Sequence, residues 1–403
     1  MTRDEQVSFR FVWGSQAIAQ FAAQGIVVSI PLLAVTRLGA GATETGFITF
    51  VQYLPVLLIT PFFGTLVDVL RKKPIMLLGH AGRALVFALL AFAAGFGILN
   101  IPVLLGAVLI SGALSACFDV ALHAYVPQVV PRDGLVKSNA KIQGTLSFAQ
   151  VVGPSLGGLV AGLGSPAVGL GIFAISYAVA AILLIFARQP EGVLHHATES
   201  FWRRTAQGFT FCFASRPLRT LLVAGTWFNL FEQALITIFL VFGVKILGLA
   251  PAQIGLILAL GAIGAIVGSF ISARFNDRLG RRTILIISMG LASVTPLGLA
   301  LMPHGTIWTQ VAIVAVFFSY GLGVTSYNIQ AMSYRQQLAP SDMQGRVSAV
   351  YRLFAYGALA FGGLIAGALS AFVGLQLGLT IVAIALFIGW LGFLALSKSA
   401  IEN

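Results

Sequence analysis

Apolar stretches of twenty residues or more, separated by short loops, recur along nearly the whole of this chain. They fall at residues 9–35, 45–69, 75–98, 102–128, 138–163, 167–187, 218–245, 252–274, 282–302, 306–334, 345–370 and 374–397. Crossing the hydrocarbon of a bilayer takes about 20 mostly apolar residues as a helix. Every backbone N–H and C=O inside the hydrocarbon must be bonded within the protein, which makes long continuous apolar runs helical. Only 9% of the 403 residues are charged, too few to give twelve such helices a water-compatible surface. The expected fold is an all-α membrane protein of twelve transmembrane helices.

The formal charge of +12 would suggest a nucleic-acid partner in a soluble protein. Here its placement decides otherwise. Arg71, Lys72 and Lys73 follow the second span, Arg132, Lys137 and Lys141 the fourth, and Arg188, Arg203, Arg204, Arg216 and Arg219 the sixth. Arg274, Arg278, Arg281 and Arg282 follow the eighth, and Arg335 and Arg346 the tenth, while the intervening turns hold little beyond Arg37 and Lys245. This is the positive-inside pattern, and it places both termini in the cytoplasm, with the lipid bilayer rather than nucleic acid as partner. The start MTRDEQ runs directly into a full span with no small-residue cleavage site, so the first helix is expected to be retained. The two cysteines, Cys117 and Cys212, offer no disulfide framework.

The chain also repeats itself. Asp68 in GTLVDVLRKKP and Asp277 in ARFNDRLGRRT lie 209 positions apart. Pro131, Asp133, Ala140 and Gly153 meet Pro340, Asp342, Ala349 and Gly362 at the same offset. One offset running from the second span to the fifth predicts a duplicated six-helix unit. The expected divisions are an N-terminal six-helix bundle over residues 1–188, a cytoplasmic linker over 189–216 and a C-terminal six-helix bundle over 217–403. Within the linker Phe201, Trp202, Thr205, Phe209 and Phe213 share one helical face opposite Arg203, Arg204 and Gln207, which predicts an amphipathic helix on the membrane surface.

The segment Gly64 to Lys73, containing Asp68, Arg71 and Lys72, and its partner Ala273 to Arg282, containing Asp277, Arg278, Gly280 and Arg281, resemble the G-x-x-x-D-R-x-G-R-K/R loop of the major facilitator superfamily. The second copy lacks only the first glycine; the first lacks the arginine and glycine after the aspartate. A carboxylate at a helix end can accept hydrogen bonds from a neighbouring helix start while adjacent cations pair with it or with lipid phosphate, a set of contacts suited to a gate. Plain positive-inside charge is the alternative. Gly153-Pro154-Ser155-Leu156-Gly157-Gly158 resembles the G-P-x-x-G-G element of antiporters in that superfamily, although small residues and a proline serve equally for close, bendable helix packing. The run from Pro131 to Gly158, with the segments Asp342 to Gly363 and Phe9 to Gln20, looks like the branch of Mef-type macrolide exporters and the enterobactin exporter. That resemblance implies proton-driven export of a bulky amphipathic molecule such as a drug, macrolide or siderophore.

It further implies that the first, fourth, seventh and tenth helices line a central cavity. Gln16, Gln20 and Gln24 recur every four residues on the first span, and Thr226, Asn229, Gln233 and Thr237 make a similar stripe on the seventh. Gln20 meets Asn229, and Gln24 meets Gln233, at the offset of 209. Amides facing lipid are costly, so the stripes are expected to face inward, as substrate contacts or as an inter-helix seam. Tyr327 and Gln330 are the candidates on the tenth span. Glu232 lies 13 residues from both Arg219 and Lys245, hence about 20 Å of helix from either charged end and near the bilayer midplane. A charge there costs roughly 2.5–3.5 kcal/mol. Proton coupling, binding of a substrate cation and a structural pair are the three readings of it; its counterpart in the first half is Ala23.

Asp119 and His123, four residues apart on the fourth span, share a face. The resemblance implies a charge relay from Asp119 to Arg71 or Lys72; Arg83 of the third span is the other available partner, and the counterpart of Asp119 is Asn328. His123 serves either proton exchange or a structural hydrogen bond. Nucleotide-binding loops, zinc-protease motifs and metal-spaced cysteines do not occur in the sequence, so neither a cofactor nor a metal is expected, and the chain is not expected to be an enzyme. The expected function is secondary active transport, as proton antiport by alternating access in a bacterial inner membrane and as a monomer. A lipid or siderophore carrier or an importer of the same fold, an uncoupled channel, and a non-transporting receptor are the other readings.

Overall fold

The structure, a computed structural model, describes residues 3–131, 134–187, 201–300, 307–340 and 343–401, and all regular structure among them is helical. The helices are α1 (Arg3–Arg37), α2 (Ala42–Val69), α3 (Lys72–Gly95), α4 (Ile101–Val129), α5 (Leu135–Ala161), α6 (Pro166–Ile185) and α7 (Phe201–Ala214), then α8 (Arg216–Lys245), α9 (Pro251–Leu279), α10 (Arg281–Val294), α11 (Leu297–Ala300), α12 (Ile307–Leu338) and α13 (Gln344–Ala400). Several starts are written locally. Prolines open α4, α6, α8 and α9, where the missing N–H costs nothing, and the Asn100 side chain accepts from the Val103 N–H at 3.0 Å. Ten spans, one of them running from α10 into α11, are long and apolar enough to cross a membrane among the described residues.

The chain divides into two compact units, one of residues 1–39 and 51–201 and the other of residues 40–50 and 202–403. In the first unit α1 packs on α5 and α6, and α3 on α4 and α6; in the second α8 packs on α13, α9 on α12, and α10 on α12 and α13. The offset of 209 is visible in individual contacts. A Cβ at Gly153 would overlap that of Gln24, and a Cβ at Gly362 would lie 2.9 Å from that of Gln233. Gly79 sits against the Leu114 carbonyl, as Gly323 does against that of Ser288; Gly112 sits against the Gln52 carbonyl, as Gly321 does against that of Gly261. Small residues let these backbones touch, which is how helices associate where lipid removes the hydrophobic drive.

Helix α13 is 57 residues long and is interrupted at Gly374, whose φ of 80° and ψ of 168° favour glycine. Its contacts along α8 reverse there. Tyr351 bonds the Leu218 carbonyl, Gly362 meets Leu230 and Gln233, and Gly378 meets Ile238. Gly389 then returns to Trp227, whose indole donates to the Ala385 carbonyl at 2.8 Å. Two helices therefore fold back on each other with one glycine as the turn.

Helix α7 packs on the second unit through Gly208 and Cys212. Gly208 lies against the backbone of Arg346, the Arg346 guanidinium donates to Gln207, and Phe209 and Phe213 flank Phe354 at 5.9 and 6.2 Å. Burial pushes the Cys212 thiol up, against the opposing pull of Arg335. The face predicted to rest on lipid is thus partly spent on protein; the side chains of residues 201–205 lie outside those described.

Candidate functional site

In the second unit Glu232 has a partner. The Tyr320 hydroxyl, from α12, donates to Glu232 Oε1 on α8. Phe228 stacks on Tyr320 at 6.4 Å, Phe317 meets its edge at 6.3 Å, and Phe239 continues the row at 4.7 Å from Phe317. Glu232 thus stands in an aromatic wall with one strong donor, an arrangement that holds a carboxylate in place and leaves its second oxygen for a proton or a cation. Its neighbour Gln233 is buried and turned along α8, donating to Thr237 Oγ1 at 3.3 Å, with its Cβ at the Gly362 seam. Thr226 bonds back to the Leu222 carbonyl at 2.7 Å, and Asn229 is partly buried. Gln330 reaches α9, donating to Ser272 Oγ at 3.0 Å. The Tyr327 hydroxyl is buried without a hydrogen-bond partner among the described residues, its ring edge-on to Phe393.

In the first unit Gln16 is 3% exposed with its carbonyl oxygen unsatisfied among the described residues, while Gln20 and Gln24 are half-buried, Gln24 at the Gly153 seam. Pro154 lies inside α5, Gly157 faces the Gly25 carbonyl, and Gly158 is buried. The larger polar construction of this unit is around Arg83, 2% exposed on α3. Its guanidinium donates to the Gly79 carbonyl at 2.9 Å, to Ser115 Oγ at 3.3 Å and to His80 Nδ1 at 2.9 Å, and lies 4.4 Å from the Tyr177 ring centre and 5.4 Å from that of Phe118. A guanidinium has no acceptor, so His80 Nδ1 accepts and its proton sits on Nε2, which is buried without a partner among the described residues. Asp119 is within electrostatic reach of Tyr177. The pairing open to Arg83 in the sequence is thus filled chiefly by His80, Ser115 and two aromatic rings. His123, one turn on from Asp119, is exposed.

Of the two loop motifs, Gly64 and Asp68 on α2, and Asp277 and Arg278 on α9, have side chains outside the described residues. Arg71 is exposed and Lys72 buried; Gly280 turns the chain at φ 73° between α9 and α10, and Arg281 covers the Tyr334 ring at 4.7 Å.

The sequence profile of the Major Facilitator Superfamily matches residues 12–362. The multidrug efflux pump Tap of Mycobacterium tuberculosis is 29% identical over 395 residues, covering 94% of this chain and 90% of that one. The macrolide efflux protein A of Streptococcus pyogenes is 21% identical, covering 85% and 84%. Among solved structures, a bacterial homolog of the human lysosomal transporter Spinster superposes with a TM-score of 0.78 at 12% identity, covering 100% of this chain and 98% of that one.

Proposed function

Because this chain belongs to the major facilitator superfamily, and is therefore a multi-pass membrane transporter and not an enzyme, we propose that it exports an amphipathic small molecule from the bacterial cytoplasm in exchange for protons, by alternating access. The observation that carries this reading is the Glu232–Tyr320 pair in its aromatic wall. A carboxylate at this depth costs roughly 2.5–3.5 kcal/mol to insert, a cost that proton exchange gives a purpose. The flat rings beside it suit a large amphipathic substrate, and the efflux relatives support that class. Asp119 and His123 form the second proton-exchange position, and Gln16, Gln20, Gln24, Asn229, Thr237, Tyr327 and Gln330 the polar contacts. The loops at Asp68 and Asp277 act as gates.

Twelve spans follow when the two arms of α13 are counted separately and the 27-residue α5 is added to the remaining nine. With the basic loops inside, both termini are cytoplasmic. The bundles are residues 1–188 and 217–403, and the working form is a monomer.

Everted membrane vesicles supplied externally with a fluorescent amphipathic cation test the proposal. An imposed pH gradient is expected to drive uptake, a protonophore to abolish it, and Glu232→Gln to lower it at least about a hundredfold, a loss of roughly 2.7 kcal/mol in transition-state terms. Uptake indifferent to the protonophore would overturn coupling. Undiminished gradient-driven uptake by the variant would remove Glu232 from the mechanism.

A further inference from the structure

A cleft of about 330 Å³ opens in the second unit between the first turns of α8 and the last turns of α13. Arg216, Arg219, Thr220 and Val223 form one wall, and Leu396 and Ser399 stand on the other. Positions 216, 219 and 223 share a helical face, so the two guanidinium groups sit at the helix start and Val223 lies about 6 Å deeper along α8. Val223 and Leu396 are 50% and 51% exposed, bare apolar surface in a membrane-spanning pair of helices. Arg219 is held in place by a 2.9 Å bond from its Nη1 to the Phe213 carbonyl at the end of α7, which leaves its remaining N–H groups for another acceptor. The cleft is therefore cationic at the membrane boundary and apolar toward the membrane interior.

The first unit explains why the cleft is open. At the offset of 209, Arg219 corresponds to Arg10, so the charge is kept, but Thr220 corresponds to Phe11 and Ala395 to Phe186. Phe11 and Phe186 pair at 5.7 Å between ring centres. The second copy has a threonine and an alanine where the first has that aromatic plug.

We propose that this cleft binds the phosphate headgroup of an anionic phospholipid, with Arg216 and Arg219 on the phosphate and one acyl chain along Val223 and Leu396. Guanidinium groups match phosphate oxygens in fork geometry, and the apolar floor asks for a chain that a free anion does not have.

Native mass spectrometry of the purified protein tests it, counting bound lipid after exchange into phosphatidylglycerol or phosphatidylcholine. The wild type is expected to retain one phosphatidylglycerol in preference to phosphatidylcholine. Both Arg216→Gln/Arg219→Gln and Ala395→Phe are expected to lower that retention at least about tenfold, equal to 1.4 kcal/mol. Ala395 is exposed, beside Leu396 and one turn before Ser399 of the lining, so Ala395→Phe sets a ring at the edge of the cleft, where the first unit has Phe186, without altering charge or core. Equal retention of the two lipids, or undiminished retention in Ala395→Phe, would overturn the site. Displacement of the lipid by millimolar inorganic phosphate would overturn the lipid assignment in favour of a free anion. Transport is not the readout, so failure here and failure of the export reading are separable.

Discussion

The two units share a backbone register and set ionisable groups of opposite kind among aromatic rings, Arg83 buried in the first and Glu232 half-buried in the second. The first holds Arg83 among His80, Ser115 and two rings; at the offset of 209 the second has Ala292, Met289, Val324 and Leu386 in place of Arg83, His80, Ser115 and Tyr177. The second holds Glu232 against Tyr320, where the first has Ala23 and Ser111. A guanidinium keeps its proton throughout, whereas a carboxylate can take one up. One copy thus carries a guanidinium held by several acceptors and two rings, with His80 Nε2 of that cluster unpartnered among the described residues, and the other a carboxylate with one donor. On the proposed export reading the copies have diverged into a structural pole and a working one, while seams of small residues are common to both.

The sharpest way to break that comparison is to move the acid. Glu232→Ala is expected to abolish gradient-driven export, a fall of at least about a hundredfold, and Ala23→Glu added to it to restore none, because no phenol stands at position 111. Recovered export in vesicles would mean that the copies are still interchangeable. On the other pole, Arg83→Ala should destabilise the protein by about 2–3 kcal/mol in a detergent melt, since buried partners lose their donor. His80→Met added to it, which restores the pair found in the second unit, should recover part of that loss; a further fall would mean that the cluster is not self-contained.

Gly153→Ala and Gly362→Ala address what the copies share. Each places a methyl into a neighbouring helix and is expected to cost about 1–2 kcal/mol, with similar melting shifts for the two. A neutral result at one seam only would show that register is no longer equally tight. Tyr320→Phe is the mildest change, expected to slow export severalfold, about 1 kcal/mol, by removing one hydrogen bond to the carboxylate. An effect equal to that of Glu232→Ala would make the phenol, and not the acid alone, the working group.

Much of this is legible in the amino-acid sequence. Apolar runs and basic loops predict most of the helices within a few residues, because a bilayer enforces length and charge placement more strictly than water does; the run 282–302 is the exception, broken at Thr295-Pro296 into α10 and α11. Residue counting alone picks out Glu232 by depth. Tyr320 escapes, since α12 carries tyrosines at 320, 327 and 334, seven apart and on one face, and only packing decides which meets the acid. Packing also turns Gln24 and Gln233 toward glycine seams, a distinction no hydropathy pattern carries. The Arg83 network had a partial signal in His80 and Arg83, three apart in an apolar span, but Tyr177 lies 94 positions beyond Arg83 and no local rule links them.

The single-glycine reversal at Gly374 bears on how the protein is made. The two arms of α13 leave the ribosome with no hydrophilic loop between them to anchor the first arm across the membrane before the second emerges. The pair is therefore expected to enter the bilayer together as one hairpin. A polar epitope inserted after Gly374 would give each arm its own stop and turn a concerted insertion into two separate ones.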